Sequence, residues 1–208
     1  MENKVEEQLK LLEELSSKHP EACMALIKAG NSKLYAMDLI SIAVFKRSMA
    51  LISGFCTMIR NRNFICAAPI IRMQLDNALR FYATTLVKKP DDLVSGFIDG
   101  THINNYKDFL TGRKLTDSYL VEKLSQHFSG IKSVYKHTSG YIHLSDKHLF
   151  NALTKGEEYR TVSMVVGPED SVVTDEQRLE AIAGMIDITK IVLWCLSGWT
   201  AKKDSMRN

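Results

Sequence analysis

The chain has 208 residues, 45% hydrophobic and 25% charged, with a formal net charge of +3. Hydrophobicity at this level excludes a mainly disordered chain, and eleven glycines with four prolines exclude collagen-like or low-complexity sequence. A pI near 8.6 is compatible with nucleic acid, but the nearest thing to a basic cluster is Arg60, Asn61 and Arg62, with Arg72 and Arg80 downstream.

In chain order, the first helix is expected over Glu2 to about Lys18, with Val5, Leu9 and Leu12 on one face and Pro20 ending it. A short helix follows over Glu21–Ala29, closed by Gly30 and Asn31. Two long helices come next, one from about Lys33 to Arg60, the other from Phe64 or Pro69 to about Val87. The short turn Asn61–Asn63 makes them antiparallel neighbours. Shorter helices are expected over Asp91–Phe97, Asn104–Thr111, Asp117–His127 (capped by Thr116) and Ile131–His143, with Ser145 capping a further turn or two through Leu153.

The stretch 154–173 changes character. Tyr159–Val166 is rich in β-branched and aromatic residues, Gly167–Asp170 reads as a turn, and Val172 and Val173 are placed to pair back, so a small hairpin or extended arm is expected at 159–173. Thr174 and Gln177 form a capping box that opens a final helix running to about Trp199. The fold class is all-α: a single helical bundle over 1–208, with residues 1–30 and 154–173 as appendages.

The N-terminal Met-Glu-Asn-Lys-Val-Glu-Glu is too charged for a secretory leader. Ser48–Ile59, bounded by Arg47 and Arg60, is too short for a bilayer, which needs about 20 apolar residues. Cys23, Cys56, Cys66 and Cys195 include no C-x-x-C pair and sit in apolar surroundings, so they read as reduced core thiols of a cytoplasmic protein, with a catalytic thiol as the alternative.

Two constellations carry chemistry. Arg72, Asp76 and Arg80 form a strip down one helix flanked by apolar residues. It reads either as a ladder with Asp76 between two arginines, or as an anion site, since the planar guanidinium binds oxyanions bidentately. Tyr135, Ser139 and His143 share a second helical face at i, i+4 and i+8, beside the stripe Ile131, Val134, Thr138 and Ile142. It reads as a rigidifying polar network or as a site with His143 as general acid or base and Asp76 as its partner. Convergence of the two strips would make a pocket. No cofactor is implied: His137, His143 and His148 do not share a face or meet metal-ligand spacing, and no Gly-rich phosphate loop is present.

The run Ala67-Ala-Pro-Ile-Ile-Arg72-Met-Gln-Leu-Asp76-Asn-Ala-Leu-Arg80, with the later Tyr135-Lys-His-Thr-Ser139-Gly-Tyr-Ile-His143, resembles a group of uncharacterised bacterial all-helical proteins. The resemblance spans about Ser48 to Leu153. The chain is also loosely similar to HEPN domains, helical bundles of bacterial defence and toxin systems, many of them dimeric RNases. It departs from their Arg-His motif: Lys132 stands at that distance before His137, where the motif has arginine.

Three functions follow as expectations: a cytoplasmic binding or interaction module, a HEPN-like RNA-binding or RNA-cleaving protein with His143 as acid/base and Arg72 on phosphate, or a small-molecule enzyme using the same pocket. The expected partners are a second copy of the chain and RNA or a small anionic ligand, with no membrane.

Overall fold

The structure is a computed structural model that describes residues 2–168, 170 and 172–206. Leu9 and Leu12 bury fully on one side of α1 (Glu2–Ser17), where it packs on α3 and α9. Pro20 does not end α1; it occupies the first turn of α2 (His19–Lys28), where its missing N–H has no intrahelical partner to lose. Gly30, Asn31 and Ser32 then turn the chain with φ near +60°. Gly30 is required twice over, since a Cβ there would also come within 2.9 Å of the Lys203 carbonyl oxygen.

α3 (Ala36–Arg60) and α4 (Phe64–Ala83) form the central antiparallel hairpin. Asn63 caps α4 by accepting the Cys66 N–H, and the Asp170 carboxylate reaches in from far along the chain to accept the N–H groups of Phe64 and Ile65. Pro69 lies inside α4 rather than at its start. α3 has the length and mean hydropathy to cross a membrane, but it packs against α4, α1 and α9.

Past α5 (Pro90–Ile98) the expected helix over 104–111 is absent. A single 3-10 turn, Ile103–Asn105, is followed by a loop organised on buried Asp108. The Asp108 carboxylate accepts the N–H groups of Leu110 and Thr111 and the Tyr119 hydroxyl, which competes with the helical alternative. Burial works against its charge, yet those donors prevail and hold the carboxyl below its ordinary range.

α6 (Asp117–Leu124) is capped by Thr116. α7 (Ile131–Ser139) stops four residues before His143. The Ser145 hydroxyl donates to the Gly140 carbonyl at 2.6 Å, while its backbone N–H is taken by His148 at the start of α8 (Asp146–Ala152), so the chain turns there instead of continuing.

The hairpin exists but is displaced. β1 (Leu153–Lys155) pairs antiparallel with β2 (Val162–Met164), Thr154 opposite Ser163. Gly156 N–H donates to the Thr161 carbonyl across the loop, with Arg160 at φ +63°. Val173 buries instead of pairing back. The turn expected at Gly167–Asp170 includes Glu169, which lies outside the described residues. The capping box at Thr174 and Gln177 opens α9 (Asp175–Asp204), which runs one turn past Trp199 because Lys203 is pulled into the core.

Candidate functional site

α4 carries the predicted strip, but its pairing differs from a simple ladder. Asp76 lies between Arg80 (Nε–Oδ1 2.9 Å) and Arg47 of α3 (3.1 Å), not between Arg72 and Arg80. Arg72 turns instead to Asp117 at the start of α6 (2.8 Å), and the other oxygen of Asp117 takes Arg80 (2.7 Å). The result is one alternating chain, Arg72–Asp117–Arg80–Asp76–Arg47, joining α3, α4 and α6. Asp117 suits this place because the first turn of a helix favours a carboxylate, and Thr116 has already capped the turn.

The second strip is only partly brought in. The Arg72 guanidinium stacks on the Tyr135 ring, its Cζ 4.5 Å from the centroid, so α4 and α7 do converge at this pair. Ser139 does not join: its hydroxyl donates to the Tyr135 carbonyl of its own helix at 2.6 Å. His143 does not join either. It lies exposed beyond the end of α7 and makes no hydrogen bond or ion pair among the described residues, and its expected partner Asp76 is taken by two arginines.

Behind the ion chain runs a buried polar relay that the sequence reading missed. Arg47 donates to Asn77 (2.7 Å), Asn77 to Gln74 (2.9 Å), and Gln74 to both Ser48 (2.6 Å) and Thr189 of α9 (3.0 Å). Ser48 meets His19 Nε2 at 2.9 Å, and His19 Nδ1 faces the Leu15 carbonyl at 3.2 Å. Since a carbonyl only accepts, Nδ1 carries the proton and Nε2 accepts from the Ser48 hydroxyl. Neutral His19 thereby completes the relay, and burial lowers its pKa in keeping with that form.

The remaining predicted chemistry is scattered. His137 bonds to its own helix through Ser133, His148 to Ser145, and among the described residues no three His, Cys, Asp or Glu side chains gather to hold a metal. The cysteines are not uniformly buried, as the sequence reading had them. Cys66 is exposed, and Cys23 is half-buried at the edge of the core. Burial pushes the Cys56 thiol up to about 11 and Cys195 up to about 12, which keeps both protonated and unreactive at neutral pH.

A cleft of about 510 Å³ opens beside the ion chain, lined by Arg80, Asp117, Thr116, Phe97 and the loop Gly100–Asn104. Its two charged residues are already paired with each other. In comparisons with known proteins, no family model, no curated protein and no solved structure matches the chain.

Proposed function

We propose that this chain is a helical binding module and that its Arg/Asp/Tyr chain is a clamp, not a reaction centre. The observation that carries the reading is the state of Arg72. Its side chain is only 10% exposed, with Tyr135 on its face and Asp117 on its edge. A guanidinium covered on its face, paired on its edge and almost out of solvent leaves an incoming phosphate little surface to approach, although only one of its N–H groups is engaged among the described residues. His143 stands apart from this cluster, whereas an acid/base residue has to be within hydrogen-bond reach of the reacting group.

The test is RNA cleavage and RNA binding at two salt concentrations, with wild type beside His143→Ala and circular dichroism as the fold control. The binding-module reading expects no cleavage and the same result for both proteins. Cleavage by wild type that is lost in folded His143→Ala would overturn it in favour of the HEPN-like reading. Turnover of a small molecule with the same loss would favour the enzyme reading.

The reading takes a second copy of the chain as partner. Its support is the exposed apolar side chains of α3 and α4, Leu39, Ile42, Ile65 and Met73. Light scattering decides this: twice 23.5 kDa supports the dimer and 23.5 kDa overturns it.

A further inference from the structure

The C-terminal half of α9, the end of α4 with the segment after it, and the start of α3 line a half-open cavity of about 730 Å³. Its walls include Met37, Phe81, Tyr82, Leu86, Trp194 and Trp199. We propose that this cavity binds a small amphipathic carboxylate, with its hydrocarbon or aryl body among these side chains and its head group between Lys88 and Lys202. The proposal rests on the binding-module reading and names the ligand class for it.

Size and composition come first. A volume of this order holds a small organic molecule, and such sites are mostly apolar with a few directed polar groups. The aromatic wall is held in place before any ligand arrives. Trp199 is fixed by its indole N–H donating to Asp38 at 2.8 Å. Trp194 is 47% exposed, yet it lies against His127 (centroids 5.8 Å) and edge-on to Phe128 (5.1 Å). Tyr82 and His127 meet at 3.2 Å through the hydroxyl and Nε2 and supply the polar point on the wall. A pre-organised wall loses little freedom on binding.

Charge then selects the ligand. The charged residues lining the cavity are Lys88 and Lys202, both exposed and neither in an ion pair among the described residues; no Asp or Glu lines it. The other clefts differ in this respect. The one at Arg80 contains Asp117, and the one at His137 contains Glu180 as well as Lys147. Two unpaired ammonium groups over an apolar floor suit an anion with an apolar tail.

Gly198 supplies a position at which the cleft can be filled. It lies within α9 and lines the cavity, and a Cβ placed there would meet nothing within 4 Å. Glycine is unfavourable inside a helix relative to alanine, and here no packing inside the chain requires it. A side chain placed there meets no atom of the chain, so the position can be filled to test the cleft.

The chain has two tryptophans, and both line this cavity, so intrinsic fluorescence reports on it directly. Decanoate and 4-phenylbutyrate are titrated against the neutral controls decanol and 4-phenylbutanol. Acyl and aryl bodies are thereby separated, and so is the head group. The expected result is a saturable emission change with at least one carboxylate, about tenfold tighter than its alcohol, as one or two charge-assisted contacts would give. Lys88→Ala with Lys202→Ala, both on the surface, removes that preference and leaves alcohol binding unchanged. Gly198→Leu abolishes binding of both while the helical signal is retained.

No saturable change with either carboxylate overturns the proposal, as does equal affinity for acid and alcohol, or a preference that survives in the double lysine variant. These outcomes are separable from failure of the binding-module reading, which is decided by RNA cleavage and not by fluorescence. If Gly198→Leu does not fold, the lysine pair alone decides.

Discussion

The Arg72 guanidinium lies 4.5 Å above the centre of the Tyr135 ring, and this is where the two polar strips of the sequence meet. The contact needs the face of the ring and not its hydroxyl. Tyr135→Phe is therefore expected to leave thermal stability unchanged. Tyr135→Ala removes the platform and part of a half-buried contact, a loss of about 1 kcal/mol. Thermal unfolding of the two variants separates these outcomes, and a large loss in Tyr135→Phe would show that the hydroxyl matters instead.

His19 sets a pH dependence. Its pKa is lowered in the fold by burial from an ordinary value of 6.5, so below that value the unfolded chain binds a proton that the folded chain resists. Stability therefore falls as pH drops through the window below 6.5 and is flat with respect to this group above it. His19→Gln removes this part of the slope. Melting temperatures at pH 7.5 and 5.5 measure it; an equal drop in wild type and variant would assign the slope to other groups.

Asp38 and Lys203 are fully buried and 2.8 Å apart, with Asp38 also accepting the Trp199 indole N–H and Lys203 donating to the Leu26 carbonyl. Lys203→Met leaves the Asp38 charge buried without its partner and should cost about 3–5 kcal/mol. The double variant Asp38→Leu/Lys203→Met should be less destabilised than Lys203→Met alone, because no orphan charge remains. Urea unfolding checks the order; Lys203→Met at wild-type stability would contradict it.

The thiols should react in order of exposure. Cys66 is labelled first by an aromatic disulfide reagent at pH 8, and Cys23 follows. Cys56 and Cys195, pushed up to about 11 and about 12 by burial, are labelled only when denaturant is added. Rapid labelling of all four in native protein would mean that the core of α3 and α9 opens readily.

Local signals made much of the bundle legible. The capping residues Thr116, Ser145 and Thr174, the turn Asn61–Asn63 and the apolar periodicity of α3 and α4 are all properties of neighbouring residues, and each appears where it was expected. The failures are tertiary. Asp117 was visible as the first residue of a helix, but nothing local ties it to Arg72 and Arg80, 45 and 37 positions away. Arg47 looked like a charge bounding an apolar run, and it became the link between Asp76 and the buried relay. The strip through His143 failed because Ser145 bonds to Gly140 and turns the chain, a contact that helical periodicity does not encode. The loop over 104–111 reads as a helix until Asp108 is known to be buried and satisfied by its own backbone.

The clamp itself is tested most directly by a double-mutant cycle on Arg72→Ala and Asp117→Ala, followed by thermal unfolding, with His143→Ala beside it. The partly buried pair predicts that Arg72→Ala loses about 2 kcal/mol, that the two changes couple by about 1 kcal/mol, and that exposed His143→Ala stays within about 0.5 kcal/mol of wild type. Strictly additive single effects, or a folded Arg72→Ala of unchanged stability that has lost a measurable activity, would contradict the clamp and return Arg72 to a functional site.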